Sequence, residues 1–474
     1  MLYLLGCIGC LLLGYFTYGK YVEAAFSPRS SLKTPALRLA DGVDFVRLPD
    51  RKIYWIQLLN ISGLGPIFGP ILGALYGPVA MLWIVIGCIF GGIVHDYFSG
   101  MLSIRQDGAS IPSVVGRYLG TSAKQLMNVF ATLLLLLVGV VFVLGPAKML
   151  AELTATSAGL WIGGIFVYYA LATLIPIDKI IGRAYPFFGA LLVFMSVGLA
   201  LGHACSAPEA VEIIGPINNH PAELPLWPLL FITIACGAVS GFHATQSPLM
   251  ARCLNNESSG RFIFMGAMVG EGLIALIWCS LGLTFYESGE SLSQVLSQGG
   301  PGAFVHEVSF SLLGTAGGII AIIGVVILPI TSGDTAFRSC RLILAEALGL
   351  NQRSVKNRLL ICGPLFLVGL IISQANFDDV WRYFGWANQT TAAIMLWAAS
   401  AHLKQAGKNH WICSVPAMFM TVVVITFILN SQDLGLGFSM LSSTALGVSL
   451  SVAIACWVFW RAPLHVPSGL VNDH

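Results

Sequence analysis

Long apolar runs alternate with short polar connectors along most of the chain. A helix needs about 20 consecutive apolar residues to cross the hydrocarbon core of a bilayer. On that criterion the pattern predicts an all-α polytopic membrane protein with about thirteen transmembrane helices. They lie near residues 1–19, 54–76, 78–101, 125–150, 158–176, 185–203, 228–250, 261–285, 312–337, 357–374, 381–401, 411–430 and 439–460. The apolar stretch 303–350 exceeds one span, so a short external helix is expected ahead of the ninth. The first run, Leu2 to Thr17, has no basic segment before it and no small-residue cleavage site before Lys20. It reads as a retained span rather than a signal peptide.

Two of these runs are interrupted. The second contains Ser62-Gly63-Leu64-Gly65-Pro66-Ile67-Phe68-Gly69-Pro70, and the seventh runs from Cys236-Gly237 through Ser240-Gly241-Phe242-His243 to Thr245-Gln246-Ser247-Pro248. Proline removes a backbone donor and glycine weakens a helix interior. In lipid the freed backbone groups are tolerated only where they are buried in protein or line a polar cavity. The breaks lie five spans apart, an odd number, so the two helices enter from opposite sides. That is the mark of inverted repeats around a central site built from discontinuous helices.

Composition agrees with the bilayer as solvent. Only 10% of residues are charged and 56% are hydrophobic, against roughly 25% charged in soluble domains. A net charge of +2 provides no basic field for nucleic acid. With the N-terminus outside, the inward segments and Arg461 collect 22 of the 24 lysines and arginines, leaving Lys148 and Arg382 on the outer side. This positive-inside bias sets the orientation and puts the C-terminus in the cytoplasm. Outer acids such as Glu209, Glu212, Glu223, Glu287 and Glu290 carry little weight in that rule. The eleven cysteines mostly sit inside apolar runs, among them Cys88, Cys236, Cys279 and Cys456. The Cys7-x-x-Cys10 pair reads as two lipid-buried thiols, not a redox or metal motif. No separate soluble domain is expected.

Five segments together resemble the carbon starvation protein family (CstA), bacterial carriers implicated in pyruvate and peptide uptake. They are Thr34 to Asp44, the Gly65 to Pro70 break, His95-Asp96 with Arg105 to Ser110, Cys236 to His243, and Phe384-Gly-Trp-Ala-Asn-Gln389. The family usually has glutamine where this chain has His95, and Ala-Thr-Gln-Ser-Pro after His243 is a variant of this chain. The resemblance implies a leucine-transporter-like 5+5 inverted repeat with two discontinuous helices. Residues 1–53 then form the first span and a cytoplasmic loop, 54–203 the first repeat, 228–402 the second, and 411–460 two additional spans. It also implies a multi-pass protein of the bacterial inner membrane.

A small carboxylate needs positive potential in a dry site, which half-helix N-termini supply. No lysine or arginine lies in either broken span. The substrate-binding candidates are therefore Ser62, Gly63, Gly65, Pro66, Phe68 and Gly69 of the first break and Ser240, Gly241, Phe242, His243, Thr245 and Gln246 of the second. The glycines are expected to let a ligand approach the backbone. Asn388 and Gln389 of the eleventh span either line the path or bond across helices, and Trp386 either gates or packs.

Intramembrane ionisable groups are functional candidates by default. His95 and Asp96 sit toward the inner end of the third span, where hydration or a capping role is open to them. Glu271 is nearer mid-membrane and is a proton-relay candidate. Asp334 is spaced to pair with Arg338 one turn on. In the leucine-transporter fold, adjacent hydroxyls on the equivalent of the ninth span help to bind sodium, so Thr331 and Ser332 form a sodium candidate. The coupling ion is thus H+ or Na+, with no organic cofactor expected. No H-E-x-x-H, G-x-S-x-G or P-loop is present to support an enzyme, and two breaks around one occluded site favour a carrier over a channel.

Overall fold

The computed structural model describes residues 2–42, 45–172, 177–206, 218–352, 354–432 and 435–461, with the side chains of 177–186 and 461 left aside. Val43, Asp44, Glu209 and Glu212 lie outside the described residues, as does the end of the predicted span 158–176.

Among the described residues the chain is helical without strands. Helices α1 (Leu2–Phe16) and α2 (Tyr18–Phe26) join into one 25-residue span, Leu2–Phe26. It runs seven residues beyond the predicted end at 19, because Lys20 and Glu23 lie in its last turns rather than in a loop. The short α3 (Pro35–Arg38) precedes α4 (Asp50–Ile61) and α5 (Gly65–Gly73), which meet at a 48° bend. Next come α6 (Val79–Gly87), a π-helical stretch Cys88–Gly92 and α7 (Ile93–Arg105). The short α8 (Ile111–Leu119) is followed by α9 (Thr121–Thr154), α10 (Ala158–Ala172) and α11 (Ile177–Cys205).

A second break follows. Helices α12 (Leu226–Thr233) and α13 (Gly241–Ala251) flank a break, and a π-helical stretch Arg261–Met265 leads into α14 (Gly266–Thr284). Then follow α15 (Gly289–Leu348), α16 (Val355–Ile372), α17 (Phe377–Gln405), α18 (Trp411–Asn430) and α19 (Met440–Arg461). Within α15, Gly300 (φ 71°) and Gly314 (φ 66°) adopt left-handed backbone and divide it. Only glycine adopts that conformation without a Cβ clash. The short helix expected before the ninth span is the part of α15 that precedes Gly314.

Nine helices among the described residues are long and apolar enough to cross a membrane, and the bent α4–α5 pair makes a tenth candidate. Each of the thirteen predicted runs contains helix among the described residues, with runs 54–76 and 228–250 interrupted at 62–64 and 234–240. The remaining runs, on α10, α12 with α13, and α17, fall short of that test by length or by polar content. The protein is a multi-pass membrane protein.

The packing is organised around α9, which lies against α15, α17 and α8, while α13 packs on α7 and α14 on α5. Small residues admit this closeness. A Cβ added at Gly139 would meet the Phe337 ring at 2.4 Å, and one at Gly145 would meet Leu64 at 2.3 Å. Lipid drives no hydrophobic association between helices, so close van der Waals fit of this kind holds them. Helix ends are tied by ion pairs: Arg105 reaches both oxygens of Glu257 (2.5 and 2.8 Å), and Arg261 pairs with Glu23 at 2.7 Å.

Candidate functional site

The first break is short. Residues 62–64 lie outside both helices, with Ser62 non-helical at φ −82° and ψ 56°, and α5 restarts at Gly65-Pro66, where proline lacks the donor that a first helical turn leaves unused. All the candidates here, Ser62, Gly63, Gly65, Pro66, Phe68 and Gly69, are buried. The second break is longer, from Ile234 to Ser240, and turns on Gly237 at φ 86°. Helix α13 restarts at Gly241, and its first turns carry Phe242, His243, Thr245 and Gln246, all buried.

The two breaks touch. A Cβ on Gly65 would lie 2.3 Å from Cys236 Sγ, and one on Gly69 would lie 2.9 Å from the Thr233 carbonyl. A Cβ on Gly63 would enter the Phe142 ring at 2.4 Å, and one on Gly241 would meet the Asn388 carbonyl at 2.3 Å. The room beside these four glycines is taken by protein, so their missing side chains bring helix to helix. Asn388 completes the second break: its Oδ1 accepts from the Phe242 N–H (2.7 Å) and the Ser240 hydroxyl (3.2 Å). Gln389 Nε2 donates to the Phe231 carbonyl of α12 at 2.8 Å. Both act as bonds across helices in this conformation, and Trp386 donates to the Val424 carbonyl.

The charged groups converge on the second break. Asp96 of α7 lies between two histidines: His95 Nδ1 is 2.8 Å from its Oδ1, and His243 Nδ1 is 2.8 Å from its Oδ2. On the other side of the His243 ring, Nε2 is 3.2 Å from Glu271 Oε2 of α14. The side chains of His95, Asp96, His243 and Glu271 are all fully buried. The sequence-based placement of Asp96 in a hydrated zone or a cap is thereby corrected: packing of α13 onto α7 seals it inside. A neutral imidazole has a single N–H. If that N–H is on Nδ1, toward Asp96, it leaves Nε2 facing Glu271 Oε2 at 3.2 Å without a hydrogen bond of good geometry.

Cys236 joins this cluster. One donor atom each from Cys236, His243 and Glu271 lie within 4.8 Å of one another. The Cys236 thiol is also 3.4 Å from the Ser240 hydroxyl. Sequence reading passed over this cysteine as a buried thiol; its place in Cys-Gly-x-x-Ser-Gly-x-His, inside a broken helix, was the available signal. Gln57 of α4 was missed as well, and a fully buried glutamine three residues before Asn60 and five before Ser62 marked it.

Several buried polar atoms near the breaks make no hydrogen bond of good geometry: Gln57 Nε2 and Oε1, Ser62 Oγ, Gln246 Oε1, Asn388 Nδ2 and Gln389 Oε1. Buried polar groups are ordinarily paired with protein or water. These unpaired atoms flank the two breaks along the chain and are candidate contacts for a small polar ligand.

The remaining candidates lie elsewhere. Ser332 is buried and donates to the Leu59 carbonyl of α4 at 3.1 Å, beside the first break. Thr331 donates to Leu328 within its own helix. Asp334 Oδ2 is 3.6 Å from Arg338 Nη2, an ion pair on one helix face. A cavity of about 640 Å³ opens just beyond the breaks, lined by Leu72, Tyr76, His220, Thr233, Trp381 and Arg382 among others. Trp381, in that lining, makes ring contacts with Phe68, Phe377 and Phe384.

Comparison with known proteins gives a consistent picture. A profile of the carbon starvation protein CstA family matches residues 1–162, 143–284 and 287–427. A membrane protein of Haemophilus influenzae is 49% identical over 352 residues, covering 63% of this chain and 95% of that protein. The peptide transporter CstA of Escherichia coli K12 is 24% identical, with 88% of this chain and 78% of that protein covered. The pyruvate/proton symporter BtsT of the same bacterium is 26% identical over 57% of this chain and 47% of its own length. Among solved structures, a manganese transporter of Eremococcus coleocola shares the fold at TM-score 0.55 and 13% identity, covering 89% of this chain and 98% of that one.

Proposed function

The chain belongs to the carbon starvation protein CstA family, and from that premise we propose that it is a secondary active transporter importing pyruvate or a related small carboxylate by ion-coupled alternating access. The observation that carries this reading is the buried His95–Asp96–His243–Glu271 chain set against the second of two broken helices. Ionisable groups so placed are retained for transport of protons or substrates. Proton coupling follows from the bridging position of His243, the side chain whose charge changes most readily near neutral pH. The name of the pyruvate/proton symporter relative agrees with it.

The architecture behind this function is thirteen spans, with residues 54–203 and 228–402 as leucine-transporter-like inverted repeats. Two parallels support the repeat: each half has a broken helix, and each next span contains a π-helical stretch, Cys88–Gly92 in the middle of Val79–Arg105 and Arg261–Met265 near the start of Glu257–Thr284. The N-terminus is outside and the C-terminus cytoplasmic, in the bacterial inner membrane. Substrate sits among the unpaired atoms of Gln57, Ser62, Gln246, Asn388 and Gln389, with the helix starts at Gly65 and Gly241 providing positive potential. Proton transfer from His243 to Glu271 turns an ion pair into two neutral groups at constant net charge and so biases the packing of α13 against α14.

A second coupling reading rests on one contact. Ser332 reaches the Leu59 carbonyl next to the first break, which suits a sodium site built from that hydroxyl, Thr331 and backbone carbonyls. Peptide is the alternative substrate, in line with the peptide transporter relatives.

The test is uptake of radiolabelled pyruvate into proteoliposomes with an imposed proton or sodium gradient and unlabelled peptides as competitors. Accumulation driven by the proton gradient, lost in His243→Ala, is the expected result. A correctly folded protein that takes up peptide and ignores pyruvate would overturn the substrate assignment.

A further inference from the structure

The second break gathers three side chains whose chemistry goes beyond proton transfer. Cys236 comes from the unwound segment, His243 from α13 and Glu271 from α14, and one donor atom of each lies within 4.8 Å of the others. Zinc-class ions bind sulfur at about 2.3 Å, imidazole nitrogen at about 2.0–2.1 Å and carboxylate oxygen at about 2.0–2.2 Å in tetrahedral sites. Two nitrogen or oxygen donors on one such ion therefore stand roughly 3.2–3.5 Å apart. His243 Nε2 and Glu271 Oε2 are already at 3.2 Å. Sulfur completes the set after a small closing movement.

The surroundings are those of a ligand site. His243 Nε2 and both oxygens of Glu271 are buried without a hydrogen bond of good geometry. The opposite ring nitrogen, Nδ1, is held by Asp96 at 2.8 Å, and Asp96 is in turn held by His95 at 2.8 Å. A metal-binding histidine typically donates its other N–H to a carboxylate in this way, which fixes the tautomer and leaves the far lone pair free. Ser240 lies 3.4 Å from the Cys236 sulfur and supplies a similar outer contact.

We propose that Cys236, His243 and Glu271 form a three-ligand site for a divalent transition-metal ion of the zinc class, with Asp96 as the residue positioning His243. Thiolate, imidazole and carboxylate together select zinc or cobalt over magnesium or calcium, which prefer all-oxygen sets. On binding, the ion forms bonds to Sγ, Nε2 and a Glu271 oxygen. The Cys236 thiol proton and any proton shared between His243 and Glu271 leave to solvent. A thiolate and a carboxylate neutralise the two positive charges of the ion, and the Asp96 carboxylate stays held between His95 and His243. The ion and the coupling proton of the proposed transport cycle use the same atoms, so each excludes the other. The metal site itself rests on geometry and not on the transport reading.

The experiment uses the full chain purified in detergent, stripped with a chelator and titrated with Co2+. The expected result is one cobalt per chain, a thiolate-to-cobalt charge-transfer absorption, displacement of cobalt by Zn2+, and proton release in weak buffer. Cys236→Ser, close to isosteric, should abolish the charge-transfer band. Asp96→Asn should weaken binding by about 10- to 100-fold while keeping the band. A folded wild-type protein without stoichiometric binding, or a Cys236→Ser variant with the wild-type spectrum, overturns the site. Pyruvate uptake by the chelator-stripped protein is scored separately: its failure leaves the metal site standing, and its success leaves the transport reading standing whatever cobalt does.

Discussion

The two broken helices solve the same backbone problem with different materials. The first gives up three residues, Ser62 to Leu64, and is built from glycines pressed against neighbours: Gly63 on Phe142, Gly65 on Cys236 and Gly69 on Thr233. It contains no ionisable side chain. The second gives up seven residues, Ile234 to Ser240, and is tied by polar bonds, with Asn388 holding Ser240 and Phe242. Four ionisable groups from three helices meet beside it. A break in a membrane helix is thus not in itself a chemical site. The first provides close contact and freed backbone; the second provides charge.

That contrast can be broken in order of expected effect. Asp96→Ala leaves His95 and His243 without their shared carboxylate. Removing one partner from a buried ion pair costs about 3–5 kcal/mol, so a clear fall in melting temperature is expected, whereas Ser62→Ala, whose hydroxyl has no hydrogen bond to lose, should leave the melting temperature nearly unchanged. Equal losses from the two would erase the distinction between the breaks. A smaller effect is expected at their contact. Gly65→Ala places a Cβ on the Cys236 sulfur, an overpacking worth about 1–3 kcal/mol. Cys236→Gly in the same chain removes both the sulfur and the Cβ that the new methyl would meet at 2.4 Å and should restore part of that stability; a double variant no better than the single would show that the clash is relieved elsewhere.

Asn388→Ala should cost about 1–3 kcal/mol through the unpaired Phe242 amide, with faster hydrogen exchange confined to the second break. Exchange rising equally at Ser62 to Leu64 would mean that the breaks open as one unit. The smallest change is expected from Ser332→Ala, about 1 kcal/mol for one hydroxyl bond to a carbonyl. If that variant alters sodium dependence of uptake, the first break has a chemistry of its own and the comparison must be redrawn.

Much of this was legible in the chain because bilayer physics is severe. Span positions follow from runs of apolar residues, and both breaks were visible as Gly-Pro and Gly-Ser clusters that a helix interior rejects. His243 and Glu271 stood out as ionisable groups where charge is costly. Their meeting was not legible: Asp96, His243 and Glu271 are separated by 147 residues in one case and lie on different helices, so no local pattern encodes the distance. The role of Gly65 was also out of reach, since a glycine that admits a ligand and one that admits a neighbouring cysteine look alike in sequence.

The sequence by itself determined the solvent, the helical class and the places where helices must break, because each depends on local composition and on the cost of unpaired backbone in lipid. Only the tertiary structure decided that Asp96 is sealed between two histidines, that Cys236 faces His243 and Glu271, and that the break glycines serve packing. Those facts depend on which faces of α5, α7, α13, α14 and α17 come together, and close packing fixes that globally rather than residue by residue.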